Sequence, residues 1–103
     1  MEIKINEIYT FVLMNGQEVV SEVVEIDDNY YHLESPLTLG RDNTGNMGFI
    51  MPSQSGEPLG AGSLQKSAVA LIKPTRDDVI EAYKTSIDPS EIIKPGQKKI
   101  ITG

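Results

Sequence analysis

The sequence predicts a single, mainly β domain: a small, strongly curved barrel over residues 7–74, a helix over 76–87 and a short tail over 88–103. Three observations carry this expectation. A run of β-formers leads straight into Asn15-Gly16, the dipeptide that most favours a two-residue hairpin turn. The strand after that turn is apolar on both faces, which suits a tightly curved sheet buried in part on both sides. Beyond Pro74 the apolar spacing changes from the period of a strand to that of a helix.

The first strand is read over Ile8–Met14 and the second over Glu18–Ile26. Strict alternation places Val20, Val24 and Ile26 on one face of the second strand, with Val19 and Val23 on the other. Asp27-Asp28-Asn29 supplies Asx-type turn chemistry, and Tyr30-Tyr31-His32-Leu33 begins a third strand that is expected to stop at Ser35-Pro36. Gly40 to Gly62 is rich in glycine and is read as loop, apart from the uncharged run Met47-Gly48-Phe49-Ile50-Met51, which is read as strand four. Left as an exposed edge, such a run would invite pairing with another chain. Strand five is placed at Ala68–Ile72, ending before Pro74 because proline cannot donate to a ladder. Thr75 is the expected N-cap of the helix, with Asp78 at the capping-box position, and Val79, Ile80, Tyr83 and Ile87 form its apolar stripe. Asp88-Pro89-Ser90-Glu91 starts a second short helical piece that Pro95-Gly96 ends.

Composition excludes several functions. There is no Cys and a single His, so neither a disulfide framework, a thiolate nucleophile nor a His/Cys zinc cluster can be built. No segment approaches the roughly 18 apolar residues of a membrane span. The start of the chain lacks the basic and apolar regions of a signal peptide, so a cytoplasmic protein without a membrane partner is expected. Net charge is -6, which disfavours a non-specific grip on duplex nucleic acid. That charge is uneven: residues 1–39 carry eight acids against Lys4 alone, whereas the remainder is nearly balanced.

Catalysis has little to work with, and no enzyme and no cofactor are expected. Asp27 and Asp28 are sequence neighbours in a turn and do not form a facing carboxylate pair. The Gly56–Gly62 loop lacks the Gly-Lys-Ser/Thr ending of a phosphate cradle. His32 lies in a strand with no acid or nucleophile partner evident from the sequence. The more informative group is Tyr30 and His32, which alternation sends to one side of strand three. An aromatic ring with an imidazole two residues away suits stacking on an unpaired base and hydrogen bonding to its edge. An ordinary half-exposed side-chain pair would leave the same pattern.

Asp28-Asn29-Tyr30-Tyr31-His32-Leu33 resembles the Sm and Sm-like signature Asp, any residue, aromatic, Met, Asn, Leu, with Tyr31 and His32 in place of the Met and Asn. The preceding hairpin with Asn15-Gly16, and a small Ser21 where that family often has glycine at a bend, is similar to the rest of its first motif. Residues 65–76 are similar to the second motif of the bacterial Sm-like RNA chaperones in their Lys, Ala, β-branched residue, Pro and Arg. The resemblance implies a strongly bent, five-stranded, SH3-like open barrel in a cyclic homo-oligomer of about five to seven subunits. Its ligand would be single-stranded RNA or single-stranded DNA, held by Tyr30, His32 and Lys66, the last of these near the pore. Its subunits would join through strand four (Met47, Phe49, Ile50, Met51) and strand five (Val69, Leu71) of the next copy. The sequence departs from the family in the short segment before strand one, the glycine-rich insertion and the lack of an Arg-Gly in the second motif. Two other readings stay open: a phage-related structural or adaptor protein with the same fold but no nucleic-acid binding, and a monomeric SH3-like or OB-like barrel.

Overall fold

A computed structural model describes residues 2–41, 43–52, 55–57 and 60–87; the tail expected over 88–103, with its second helical piece, lies outside the described residues. Six strands are followed by one helix: β1 Ile8–Leu13, β2 Glu18–Ile26, β3 Tyr30–Arg41, β4 Met47–Ile50, β5 Ala61–Gln65, β6 Val69–Pro74 and α1 Asp77–Ile87. A 3-10 turn at Lys66–Ala68 joins β5 to β6. The strands form one open antiparallel sheet in the order β4-β3-β2-β1-β6, with β5 pairing β3 beside that path. The turn between β1 and β2 is one residue longer than expected: the Leu13 N–H donates to the Gln17 carbonyl at 2.8 Å, so Met14-Asn15-Gly16 form a three-residue loop in which Gly16, with φ of 89°, and not Asn15 takes the positive angle.

Strand β3 does not stop at Ser35-Pro36 as expected but runs on to Arg41, changing its outer neighbour on the way. Tyr30–Glu34 pairs with β5, and Thr38–Arg41 pairs with β4. Between these halves, Ser35 and Pro36 together oppose the single residue Ser21 of β2, a β-bulge that bends the sheet and accommodates a proline without losing a ladder bond. Ser35 sits there at φ of 56°. One extra residue reverses the alternation: Leu33 faces the inner core, whereas Leu37 faces the helix.

A second register shift, between Val23 and Glu25, corrects the reading of β2 in the same way. Ile26 packs with Val23 in the inner core instead of joining Val20 and Val24 on the other face. Strand β5 has no counterpart in the expectation: Ala61 and Gly62 fall in the glycine-rich stretch read as loop, and Ala61-Gly62-Ser63-Leu64-Gln65 has weak β propensity. Pairing with β3 and the packing of Leu64 on the inner core override that preference. The last strand starts one residue later than expected, after the 3-10 turn, and runs on to Pro74.

Apolar side chains fill both sides of the bent sheet. Tyr9, Phe11, Val19, Val23 and Leu33 make the inner core, while Val20 and Leu37 form the outer one together with Tyr83 of α1. The helix lies on the outer side through the expected stripe, with Val79 and Ile87 beside Tyr83. Its start differs from expectation. The Thr75 hydroxyl bonds that of Thr10 at 2.9 Å rather than capping the helix, and Asp78 bonds the Arg76 guanidinium, with 3.0 Å from Nε to Oδ1. That guanidinium holds the Asp78 carboxyl below its ordinary pKa.

The Tyr83 ring is fully buried, and its hydroxyl ends at the bulge. It lies 2.9 Å from the carbonyl oxygens of both Glu34 and Ser35 and accepts from the Glu22 N–H at 3.3 Å. Burial pushes the phenol's pKa above its ordinary value. Because the folded pKa exceeds the unfolded one, this stabilisation is complete below about pH 10 and disappears as pH rises through the folded value. Tyr83→Phe keeps the ring but removes the hydroxyl's bonds at the bulge, so it should cost about 1–3 kcal/mol in urea unfolding. Tyr83→Ala should cost about 3–5 kcal/mol. A change below about 0.5 kcal/mol in both would show that the helix contributes nothing to the fold.

Candidate functional site

The turn between β2 and β3 is built by Asp27. Its Oδ1 accepts the backbone N–H groups of Asn29 at 2.9 Å and Tyr30 at 2.8 Å, and its own N–H donates to the Tyr30 carbonyl at 3.0 Å. This is the self-capping Asx chemistry that the sequence suggests. The remaining oxygen, Oδ2, lies 2.7 Å from His32 Nε2. His32 Nδ1 lies 2.9 Å from the Ser63 hydroxyl on β5. A carboxylate only accepts, so Nε2 carries a proton and, in the neutral ring, Nδ1 accepts the Ser63 O–H.

Two sequence expectations change as a result. His32 does have an acid and a hydroxyl partner, in the order Asp27, His32, Ser63. Both ring nitrogens are therefore engaged, and a base edge would have to displace one of these bonds to reach them. The relay ties the turn to β3 and β5, locks the imidazole's tautomer and draws the Asp27 carboxyl below its ordinary pKa, chiefly through the His32 bond and then through the Asn29 amide.

Tyr30 and His32 project to one side of β3, as alternation requires, with ring centroids 6.1 Å apart and planes inclined by 35°. Tyr31 projects to the other side, packing on Phe11 at 5.3 Å between centroids. Lys66 reaches this region through its backbone, whose N–H donates to the Asn29 carbonyl at 2.9 Å. Its ammonium nevertheless sits over the Tyr31 ring, 5.4 Å from the centroid. Tyr30 and Lys66 share the wall of a polar cleft of about 420 Å³, completed by Asp28, Asn29, Gln65 and Ser67, whereas His32 stands outside it. Lys66 also borders a neighbouring cavity of about 360 Å³ that contains Tyr31 and the β6 residues Val69 to Ile72.

The expected contact residues divide in two. Met47, Ile50 and Met51 on or beside β4, and Leu71 on β6, are exposed, and both strands are ends of the open sheet. Phe49 instead turns toward Tyr83, edge to face at 6.2 Å, and Val69 packs on the inner core. Among the described residues, no group of three His, Cys, Asp or Glu side chains could hold a metal, and no helix is long and apolar enough to cross a membrane.

Sequence reasoning missed Gln65, Ser63 and Ser67, because the strand and turn that carry them are not legible as such. Asp27 had a usable signal in its spacing to two following amides. No family model matches the chain, and no curated protein matches it. Fold and site together define a small, mainly β protein with an open sheet, a helix on its outer face and a polar cleft containing one aromatic ring.

Removing the His32 ring should free the Asp27 carboxyl. In His32→Ala, the Asp27 titration followed by carbon-detected NMR should move up toward the ordinary value of about 3.9. In the wild type, where the folded pKa is depressed, the turn's stability should decline as pH falls through that depressed value. An Asp27 pKa identical in the two proteins would mean that the bond is absent in solution.

Proposed function

We propose that the chain is a non-enzymatic, Sm-like protein that assembles as a cyclic homo-oligomer and binds single-stranded nucleic acid, RNA first and single-stranded DNA second, in RNA or DNA processing. The observation that carries the binding is the polar cleft lined by Tyr30 and Lys66, with the amide residues Asn29 and Gln65 beside them. A half-buried tyrosine is a stacking platform for any base, and a lysine beside it can meet a phosphate or a base edge. His32, held by Asp27 and Ser63, acts as a fixed neighbour of the Tyr30 ring.

Assembly is supported by the open sheet. Strands β4 and β6 each leave one edge unpaired and carry exposed Met47, Ile50 and Leu71, so pairing β4 of one copy with β6 of the next would cover both edges. A ring also places several weak clefts on one strand, which raises their effective concentration and offsets the unfavourable net charge of -6 per subunit. That same charge, with both His32 nitrogens engaged, favours the second reading: a structural or adaptor protein that keeps the assembly and binds no nucleic acid.

Light scattering behind size-exclusion chromatography should give a discrete multimer of the 11.3 kDa chain, and Ile50→Lys should disperse it by placing a charge in an apolar contact. A monomer at micromolar concentration removes the ring. Tyr30→Ala should leave the multimer intact and weaken binding of a labelled single-stranded RNA at low salt by about 1–3 kcal/mol. Equal affinity in wild type and variant, or no binding by either, selects the structural reading.

A further inference from the structure

The cleft beside Tyr30 contains a carboxylate that has no task in the fold. Asp27 is fully used by the turn and by His32, whereas its neighbour Asp28 is exposed and forms no hydrogen bond or ion pair among the described residues. An anion in a cleft meant for a polyanion is unfavourable toward phosphate, so its place is explained by what it can accept. We propose that this cleft selects guanine, with Asp28 taking the base's Watson–Crick edge while Tyr30 stacks on its face. The proposal rests on the single-strand reading and names the base that reading leaves open.

The chemistry separates the four bases. A carboxylate offers two acceptor oxygens side by side and no donor. Guanine presents two adjacent donors, N1–H and N2–H, which such a pair of acceptors matches in a bidentate contact, and beside them the acceptors O6 and N7 that suit a lysine. Uracil has one N–H between two carbonyl oxygens, so the second carboxylate oxygen would face a like partial charge. Adenine and cytosine each pair their amino group with an unprotonated ring nitrogen, which again faces an acceptor with an acceptor.

The remaining wall fits the same orientation. Lys66 lines the cleft while its ammonium rests over the Tyr31 ring, and in the proposed complex the side chain turns away from that ring to meet O6. The side-chain amides of Asn29 and Gln65 carry both donors and acceptors for the sugar or the purine's other edge. A volume of about 420 Å³ is within the range of about 300–1,000 Å³ typical of small-molecule sites, enough for a purine.

The test is a binding titration at low salt with labelled uridine hexanucleotides containing one central guanine, adenine or cytosine, plus the all-uridine strand, on wild type and Asp28→Asn. Asp28 makes no contact that holds the fold, so the variant's melting temperature should match the wild type's. In the wild type the guanine strand should bind at least about fivefold tighter than the others, and in Asp28→Asn that preference should disappear while the all-uridine affinity holds or rises. Equal binding of all four strands, a preference for another base, or a guanine preference that survives in Asp28→Asn overturns the assignment and leaves single-strand binding standing. If no hexanucleotide binds, the strand reading fails, and NMR titration with GMP decides the rest. GMP shifts at the Asp28 and Tyr30 amides that vanish in Asp28→Asn would support a guanine site for a free nucleotide, and no shifts would overturn it.

Discussion

At one place in the sheet, two residues of β3 face one residue of β2, and the architecture depends on that mismatch being satisfied. The bulge gathers the carbonyls of Glu34 and Ser35 and the N–H of Glu22 at one point of the β2–β3 ladder, beside the buried side chains of Ser21, Ser35 and Tyr83. Buried groups of this kind cost about 1–3 kcal/mol each when unpaired. Two hydroxyls meet them. The Ser21 side chain donates toward the Glu34 carbonyl at 3.0 Å, and Tyr83 arrives from the helix, 49 residues away in sequence, to meet all three groups. Holding Ser35 at positive φ carries a further cost of order 1–3 kcal/mol, which persists only because the surroundings fix it.

From that point the rest of the fold follows. Because the bulge shifts β3 by one residue, its first half faces the inner core with Leu33 and its second half faces the helix with Leu37. The bend also lets two different strands, β5 and β4, share one edge of β3. It is β5 that delivers Ser63 to His32 and, through the 3-10 turn, Lys66 to the Asn29 carbonyl. The cleft therefore borders strands whose course is set at the bulge, where the polar contact is made by a helix that does not border the cleft.

What could be read from the residues alone divides along the same line. The hairpin at Asn15-Gly16, strands β1, β2 and β4, and the stripe of α1 are local signals, written in propensity and periodicity, and they are legible. The passage of β3 through Ser35-Pro36 is not, because proline reads as a stop unless the opposing strand is known to lack a partner residue there. Strand β5 is equally silent: Gly62 and Ser63 are poor strand formers, and only the waiting edge of β3 makes them one. Each register shift moved a side chain across the sheet, as Ile26 and Leu37 illustrate. At the site, alternation correctly places Tyr30 and His32 together. It says nothing of the partners that occupy the imidazole, because one of them belongs to the unread strand.

The distribution of charge then acquires a physical meaning. Most of the acidic excess lies in residues 1–39, the segment that includes both carboxylates of the β2–β3 turn, while Lys66 is brought in from the nearly neutral remainder. Asp27 is held as an anion by two amides and an imidazole, so its charge is compensated locally. Asp28, one residue on, has no such compensation and stands in the cleft. Over a Debye length of about 8 Å at physiological salt, the lysine and the aspartate that share the cleft nearly cancel for a distant phosphate. At contact distance they do not, because hydrogen-bond geometry discriminates where long-range charge cannot. On the proposed single-strand reading, a site built this way would attract a strand weakly and choose among bases by the pattern of donors and acceptors, leaving overall affinity to several copies of the cleft acting together.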